Sequence, residues 1–334
     1  GIDTSATYKA ARAALDGDQL ATFFADGAAL KSILDAVVTT AFANPASDLL
    51  GDWTIAGLRV VDDALRFDAV ADPVDGTTPS GAPTLAPAAE SEFAGVLPAD
   101  TLGFVEAHGV GALLERSIAT MAADPDQAEG LAQLQQVFAV LGGLDNAIDW
   151  IEELGIAVIP TDDAAGGTIP IRGTDAEAAA SRLTQIRNLL VLAGTGTDIT
   201  ISDSEHAGVK ITTVDLGNLA DLAGSLGVPA EGIGDARLSF SMAQRDDLVI
   251  LAVGTGVVER ILDTDTASSL RTTAGFTRAM DLAGVKGDLH AYVAVDAATT
   301  FLEKLVPASE LGTWPDELMP YIEHLAAVAW SSTN

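Results

Sequence analysis

The chain has 334 residues, with 33 Asp and 15 Glu against 17 basic residues, and a formal charge of −31. A hydrophobic fraction of 48% excludes intrinsic disorder, and the length suffices for two domains that each bury a core. A surface this negative repels phosphate backbones and anionic headgroups, no run approaches 18 apolar residues, and the lack of cysteine removes disulfides and thiolate sites together.

The first apolar run, Leu20 to Leu34, reads as a short strand, a tight turn at Gly27 and a helix-like stretch. A hairpin follows, Ile55–Val61 and Leu65–Val70 about Asp62-Asp63, since Asp suits chain reversal between half-buried strands. Residues 73–96 hold Pro73, Pro79, Pro83 and Pro87 with Gly76 and Gly81, a density that reads as a linker. The expected organisation is a small α+β unit at 1–72, the linker at 73–96 and a larger unit at 97–334. The larger unit is expected to divide further into related parts at 97–195 and 196–334.

Beyond the linker the strand-to-helix step recurs at Leu102–Arg116, with Gly109 where the first copy has Gly27. Gln127–Leu141 has helical spacing through Leu131, Leu134, Val137, Phe138 and Leu141. Next come a hairpin about Asp162-Asp163 and a helix from a capping Asp175 to Leu190. A second hairpin joins Asp198–Ile201 to Val209–Val214, and a short helix is predicted over Leu216–Leu226. Leu238–Met242 turns at Asp246-Asp247 into Leu248–Arg260, a looser strand-to-helix copy. Leu289–Glu303 is another copy, with Asp296 in the place of the glycine as a helix cap. A helix over Trp314–Ala326 and a strand over Ala326–Trp330 close the pattern. These hairpins and repeated units predict an α+β fold, with mainly antiparallel sheets flanked by helices rather than a doubly wound parallel one.

Three segments carry a family resemblance: Leu97-Pro-Ala-Asp-Thr-Leu-Gly-Phe-Val-Glu106, Leu144–Gly155 and Thr168–Ala180. They resemble an uncharacterised bacterial envelope family known only as a domain of unknown function, whose units open on Leu-Pro-Ala-Asp-Thr-like segments. The likeness runs from Leu97 to Trp330 and more loosely through the first unit. It implies export, anchoring through a segment outside this chain and no known activity, and it brings no catalytic residue.

Motifs that carry chemistry are few. Gly109-Val-Gly111 and Gly254-Thr-Gly256 each open a helix after a strand, but Leu114 and Glu259 stand where a third dinucleotide-binding glycine belongs. Turn glycines are the simpler reading. His108, His206, His290 and His324 are isolated, none at metal-binding spacing, so they read as ordinary exposed or hydrogen-bonded residues. Glu152-Glu153 and Asp62-Asp63 read as solvated pairs, because sequence neighbours point different ways. Asp162-Asp163, Asp203 with Glu205, and Asp263 with Asp265 match no calcium loop and imply weak cation binding at most. Trp53, Trp150, Trp314 and Trp330 read as core packing. No catalytic residue, cofactor site or dedicated metal site is assigned.

The expected function is therefore non-enzymatic: an exported cell-envelope protein acting as a structural, assembly or interaction module with a protein partner, itself or another envelope component. The alternatives are an extracellular or periplasmic small-ligand binding protein and a salt-adapted enzyme of unrecognised type. The last would place the chain in the cytoplasm of a salt-adapted organism.

Overall fold

The computed structural model describes residues 5–15, 17–27, 53–71, 89–123, 130–132, 135, 139, 143–161, 165–194, 199–218, 237–284, 286–305 and 324–332. The chain divides into two compact units, Gly1–Pro83 and Thr84–Asn334. The α+β expectation is met: every paired strand is antiparallel, in one sheet of three strands and one of nine.

In the first unit, β1 (Ala21–Asp26), β2 (Trp53–Val61) and β3 (Ala64–Ala71) pair in that order. Helix α1 (Ala6–Ala13), capped by the Ser5 hydroxyl, lays Ala11 against β2, where Leu15, Trp53 and Ile55 complete a small core. The predicted hairpin at Asp62-Asp63 is present, and Asp62 takes the left-handed turn conformation (φ 54°) that its short polar side chain tolerates. The opposite face of this sheet leaves Phe23, Val60, Leu65 and Phe67 exposed.

The larger unit is built on β4 (Gly103–His108), β5 (Ile151–Pro160), β6 (Ala165–Gly173), β7 (Thr200–His206), β8 (Val209–Asn218), β9 (Arg237–Arg245), β10 (Leu248–Val253), β11 (Leu289–Val293) and β12 (Val328–Ser332). Their spatial order is β12-β11-β4-β5-β6-β10-β9-β8-β7. The expected subdivision into 97–195 and 196–334 does not describe this arrangement. Strands β4 to β6 lie between strands from the later half on both sides, so one continuous sheet joins the two.

Three of the four predicted strand-to-helix junctions fall where the repeats placed them; in the first copy β1 is present and 28–34 lie outside the described residues. β4 leads into α2 (Val110–Ala123), β10 into α5 (Val257–Asp263) and β11 into α7 (Val295–Leu305). Gly109 (φ 65°) and Gly256 (φ 76°) make the turns, so the turn-glycine reading of both Gly-x-Gly pairs holds. Asp296 lies inside the first turn of α7 instead of capping it; there its carboxylate still faces the positive helix end. Further helices among the described residues are α3 (Leu144–Ile148), α4 (Ala176–Gly194) and α6 (Ala274–Ala283), with Asp175 Oδ1 accepting the Ala178 N–H at 2.7 Å as the predicted cap of α4.

Two predicted helices are corrected. Leu216–Asn218 finish β8, where the Asp215 carboxylate takes the Gly217 N–H and the ladder shifts register; 219–226 lie outside the described residues. Residues 324–327 are not helical but lead into β12, and Trp314 to Glu323 lie outside the described residues, as does most of Gln127–Leu141. The turn at Asp162-Asp163 also lies outside them, though β5 and β6 pair as predicted.

Side chains alternate across this sheet. Its inner face carries Phe104, Tyr292, Ala157, Ile159 and Ile250, over which α5, α6 and a 3₁₀ turn at Phe93–Gly95 close the main core. Residues 89–96, read as linker, thus belong to the larger unit. Phe93 and Leu97 are fully buried, and Gly155 leaves the space Phe93 fills, since a Cβ there would stand 2.8 Å from its ring. The outer face is covered by α4 near β6 and β10, where Trp150, Ile171, Ala179 and Val249 form a second cluster.

Candidate functional site

The phase of the inner face places polar side chains on an apolar stripe. In β4 the inward residues are Phe104, Glu106 and His108; in β11 they are His290 and Tyr292. Strand register then aligns His290 with Glu106, and His108 with Glu153, which in turn pairs with Arg172. A register irregularity in β5 lies between Ile151 and Glu153, and Glu153 turns inward while Glu152 stays exposed. Four ionisable side chains thus meet below the segment 89–93. Glu106 and His290 are fully buried, His108 is 2% exposed and Glu153 8%.

Glu106 anchors the roof of the cluster. It accepts a very short hydrogen bond from the Ser91 hydroxyl, and the N–H groups of Glu92 and Phe93 at 2.8 and 3.4 Å. Burial raises its pKa; the Ser91 and Glu92 donors and nearby His108 only partly offset that cost. Nδ1 of His108 lies 2.8 Å from Glu153 Oε1, while Nε2 faces Glu106 Oε1 at 3.7 Å. Burial works against a charged His108, yet the bond to Glu153 and the charges of Glu106, Glu153 and Glu92 outweigh it and raise its pKa. His290 stands edge-on to His108, ring centroids 5.6 Å apart, and its Nε2 meets the Ala89 carbonyl at 2.9 Å. Burial lowers its pKa, since the Ala89 contact does not compensate for lost water and for His108 nearby. Arg172 flanks the group, binding Asp247 through Nη1 at 2.8 and 2.9 Å with Nε 3.5 Å from Glu153. His108 Nε2, His290 Nδ1 and Glu153 Oε2 are buried without hydrogen-bond partners.

His108 and His290 are thus buried rather than exposed, each hydrogen-bonded through one ring nitrogen, and the reading of Glu153 as solvated is corrected. The sequence carried a signal for it: a Glu and two His fall in phase with Phe104 and Tyr292. Elsewhere the candidates are taken up locally. His206 pairs with Asp263 at 2.7 Å, Asp203 with Arg187 and Lys210, and Asp265 with Ser268. Gly109 and Gly111 line an open cleft of about 340 Å³ whose other walls include Glu115, Asp149 and Glu152, carboxylates that oppose a pyrophosphate. Trp53 and Trp150 are buried as expected; Trp330, on the outer face of the edge strand β12, is 57% exposed, and Trp314 lies outside the described residues.

The Ser91 hydroxyl donates to Glu106 and accepts from the Ala94 N–H. Ser91 also borders an open cleft of about 210 Å³ beside Arg271, Phe276 and Met280, with the cluster sealed behind it. Among the described residues no helix is long and apolar enough to cross a membrane.

In comparison with known protein families, residues 2–334 match one model, described as a protein of unknown function (DUF3352). The match takes in the first unit as well as the stretch from Leu97 onward. No curated protein and no solved structure matches the chain.

Proposed function

The chain belongs to the DUF3352 family of proteins of unknown function, and from that premise we propose that it is a non-enzymatic, exported module of the cell envelope that assembles with copies of itself. One observation carries the reading: the exposed part of the outer face of the nine-stranded sheet, beyond the area that α4 covers. Val328, Val293, Gly103, Val158, Gly167 and Val253 run in register across six strands, and Trp330, Ala291, Val105 and Ile156 form the next row. With Ile169, the large residues of this surface are 40 to 58% exposed, and no charged side chain interrupts either row. On a chain with 48 carboxylates, leaving out charge over so wide an area marks a contact surface. An apolar sheet face can pack on a second copy of itself, as the layers of a β-sandwich stack. The sealed cluster, with its hydroxyl committed to a carboxylate, supports a role without catalysis. The acidic surface favours solubility outside the cell and disfavours nucleic acid.

The test is sedimentation velocity of the full chain across a salt series. Mutual repulsion of two copies at −31 each opposes stacking, so association is expected to tighten, by about tenfold or more, as salt shortens the screening length from roughly 30 to 8 Å. Ile156→Glu, at a position already 58% exposed, is expected to leave the thermal transition in place and keep the protein monomeric throughout. A wild-type chain that stays monomeric at every salt concentration overturns the assembly reading. Recovery of the native protein in the cytosolic fraction of its source cells overturns the export reading.

A further inference from the structure

The open cleft beside the sealed cluster sets free charges of both signs around an apolar floor. The floor is one face of α6, where Phe276 and Met280, four residues apart, are 5% and 4% exposed. Asp281 continues that face at the rim, Glu90 enters from the roof segment, and Arg271 comes from the 3₁₀ turn Leu270–Thr272 ahead of α6. The guanidinium is held in place. A Cβ on Gly95 would stand 3.4 Å from its Cζ and 3.6 Å from Nε and Nη2, so the planar group lies over a glycine that leaves room for it, and Nη2 donates to the Ser91 carbonyl. Arg59, Arg172, Arg182, Arg187 and Arg260 each reach a carboxylate, whereas Arg271 reaches none among the described residues. The Glu90 and Asp281 side chains likewise make no hydrogen bond or ion pair with a described residue. We propose that this cleft binds a free α-amino acid with an apolar side chain: Arg271 takes the carboxylate, Glu90 and Asp281 take the ammonium, and Phe276 and Met280 receive the side chain.

The charge pattern selects the class of ligand. A plain anion meets two carboxylates at the rim, and a plain cation meets the guanidinium; a molecule with an ammonium and a carboxylate on one carbon answers all three groups. Only one N–H of Arg271 is used on the Ser91 carbonyl, and the rest of its planar fork suits a carboxylate. Volume selects the size. The cleft holds about 210 Å³, below the roughly 300–1,000 Å³ of sites for drug-sized molecules, which leaves room for a single amino acid and not for a peptide. Phe276 and Met280 also belong to the main core, so the floor is a rigid surface, and the thioether of Met280 adapts to side chains of different shape. Because α6 closes the inner face of the sheet, the cleft is separate from the bare outer face, and ligand binding stands whether or not copies of the chain assemble.

The test follows the four methionine methyls of the full chain by carbon-edited NMR, with Met280→Leu assigning the signal from the cleft. L-Leucine is expected to shift the Met280 signal with a Kd of about 1 mM or tighter. Isocaproate, which lacks the ammonium, and isoamylamine, which lacks the carboxylate, are expected to bind about tenfold or more weakly than leucine. Arg271→Gln is expected to lower leucine affinity by about the same factor. Glu90→Gln combined with Asp281→Asn is expected to erase the preference for leucine over isocaproate, and both positions are exposed, so that variant keeps the fold. Should Arg271→Gln fail to fold, the comparison of the three ligands on the wild-type chain decides. A Met280 signal that leucine does not move, or that all three ligands move equally, overturns the site.

Discussion

Asp203 shows how a carboxylate is held on so acidic a surface. Its Oδ2 accepts from Lys210 at 2.9 Å and Arg187 at 2.8 Å, and its Oδ1 accepts from the Thr212 hydroxyl at 2.8 Å. Those donors, Lys210 first, hold its pKa well below the ordinary 3.8. A depressed carboxylate contributes stability that is present above its unfolded value and is lost as pH falls through the folded one. The side chain is 34% exposed, so solvent screening limits the contribution. Asp203→Asn is expected to cost about 1 kcal/mol at neutral pH, roughly 2–4 °C in thermal midpoint, and the gap to wild type should close as pH drops below 3.8. A gap that persists in acid would show that the loss comes from packing. Glu106 follows the opposite logic. For Glu106 burial outweighs its donors, and nothing in a single residue's identity distinguishes it from Asp203; the difference lies in which face of a strand each occupies.

At the level of elements, the turns at Asp62-Asp63 and Asp246-Asp247 were legible because they depend on local chemistry. The hairpin strand expected to end at Ile201 in fact continues to His206. The hairpin between β7 and β8 reverses at Ala207 (φ 51°) and Gly208 (φ 78°), both in the left-handed region that two-residue hairpins require. Glycine is suited to it; alanine pays about 1 kcal/mol there. Ala207→Asn supplies the preferred Asn-Gly pair and is expected to raise stability by about 0.5–1 kcal/mol, read as a higher thermal midpoint with an unchanged circular dichroism spectrum. An unchanged or lower midpoint would mean the turn is relaxed by its strands. Strand-to-helix steps were readable for the same reason, through Gly109, Gly256 and the Asp175 cap. What failed was spacing without context. Leu216 to Leu226 has a helical pattern, yet its first residues complete β8, where pairing with β9 supplies ladder hydrogen bonds that an isolated helical turn lacks. The buried cluster was legible only in part. Alternation gives the phase of Glu106, His108 and His290, but their meeting requires β11 to pair with β4 across some 180 residues of sequence, as in the register of Glu106 with His290.

In the whole molecule, the strand order interleaves early and late segments. β4 is bordered on one side by β5, about 45 residues ahead, and on the other by β11, which arrives only after β10. Removing everything after Gly284 therefore deletes the edge pair β11-β12, frees the edge of β4 and takes away His290. Such a chain is expected to lose amide-exchange protection in β4 and the cooperative thermal transition of the larger unit. Full protection of Phe104 to His108 in the truncated chain would show that β4 is fixed by β5 alone. The repeated units, which invite a picture of modules folding one after another, are thus tied into a sheet that none completes alone. A chain emerging from the ribosome presents β4 to β10 first, and β4 waits with one side unpaired until β11 appears. Non-local closure of this kind is slow. It postpones closure of the sheet until β11 has been made and can reach β4.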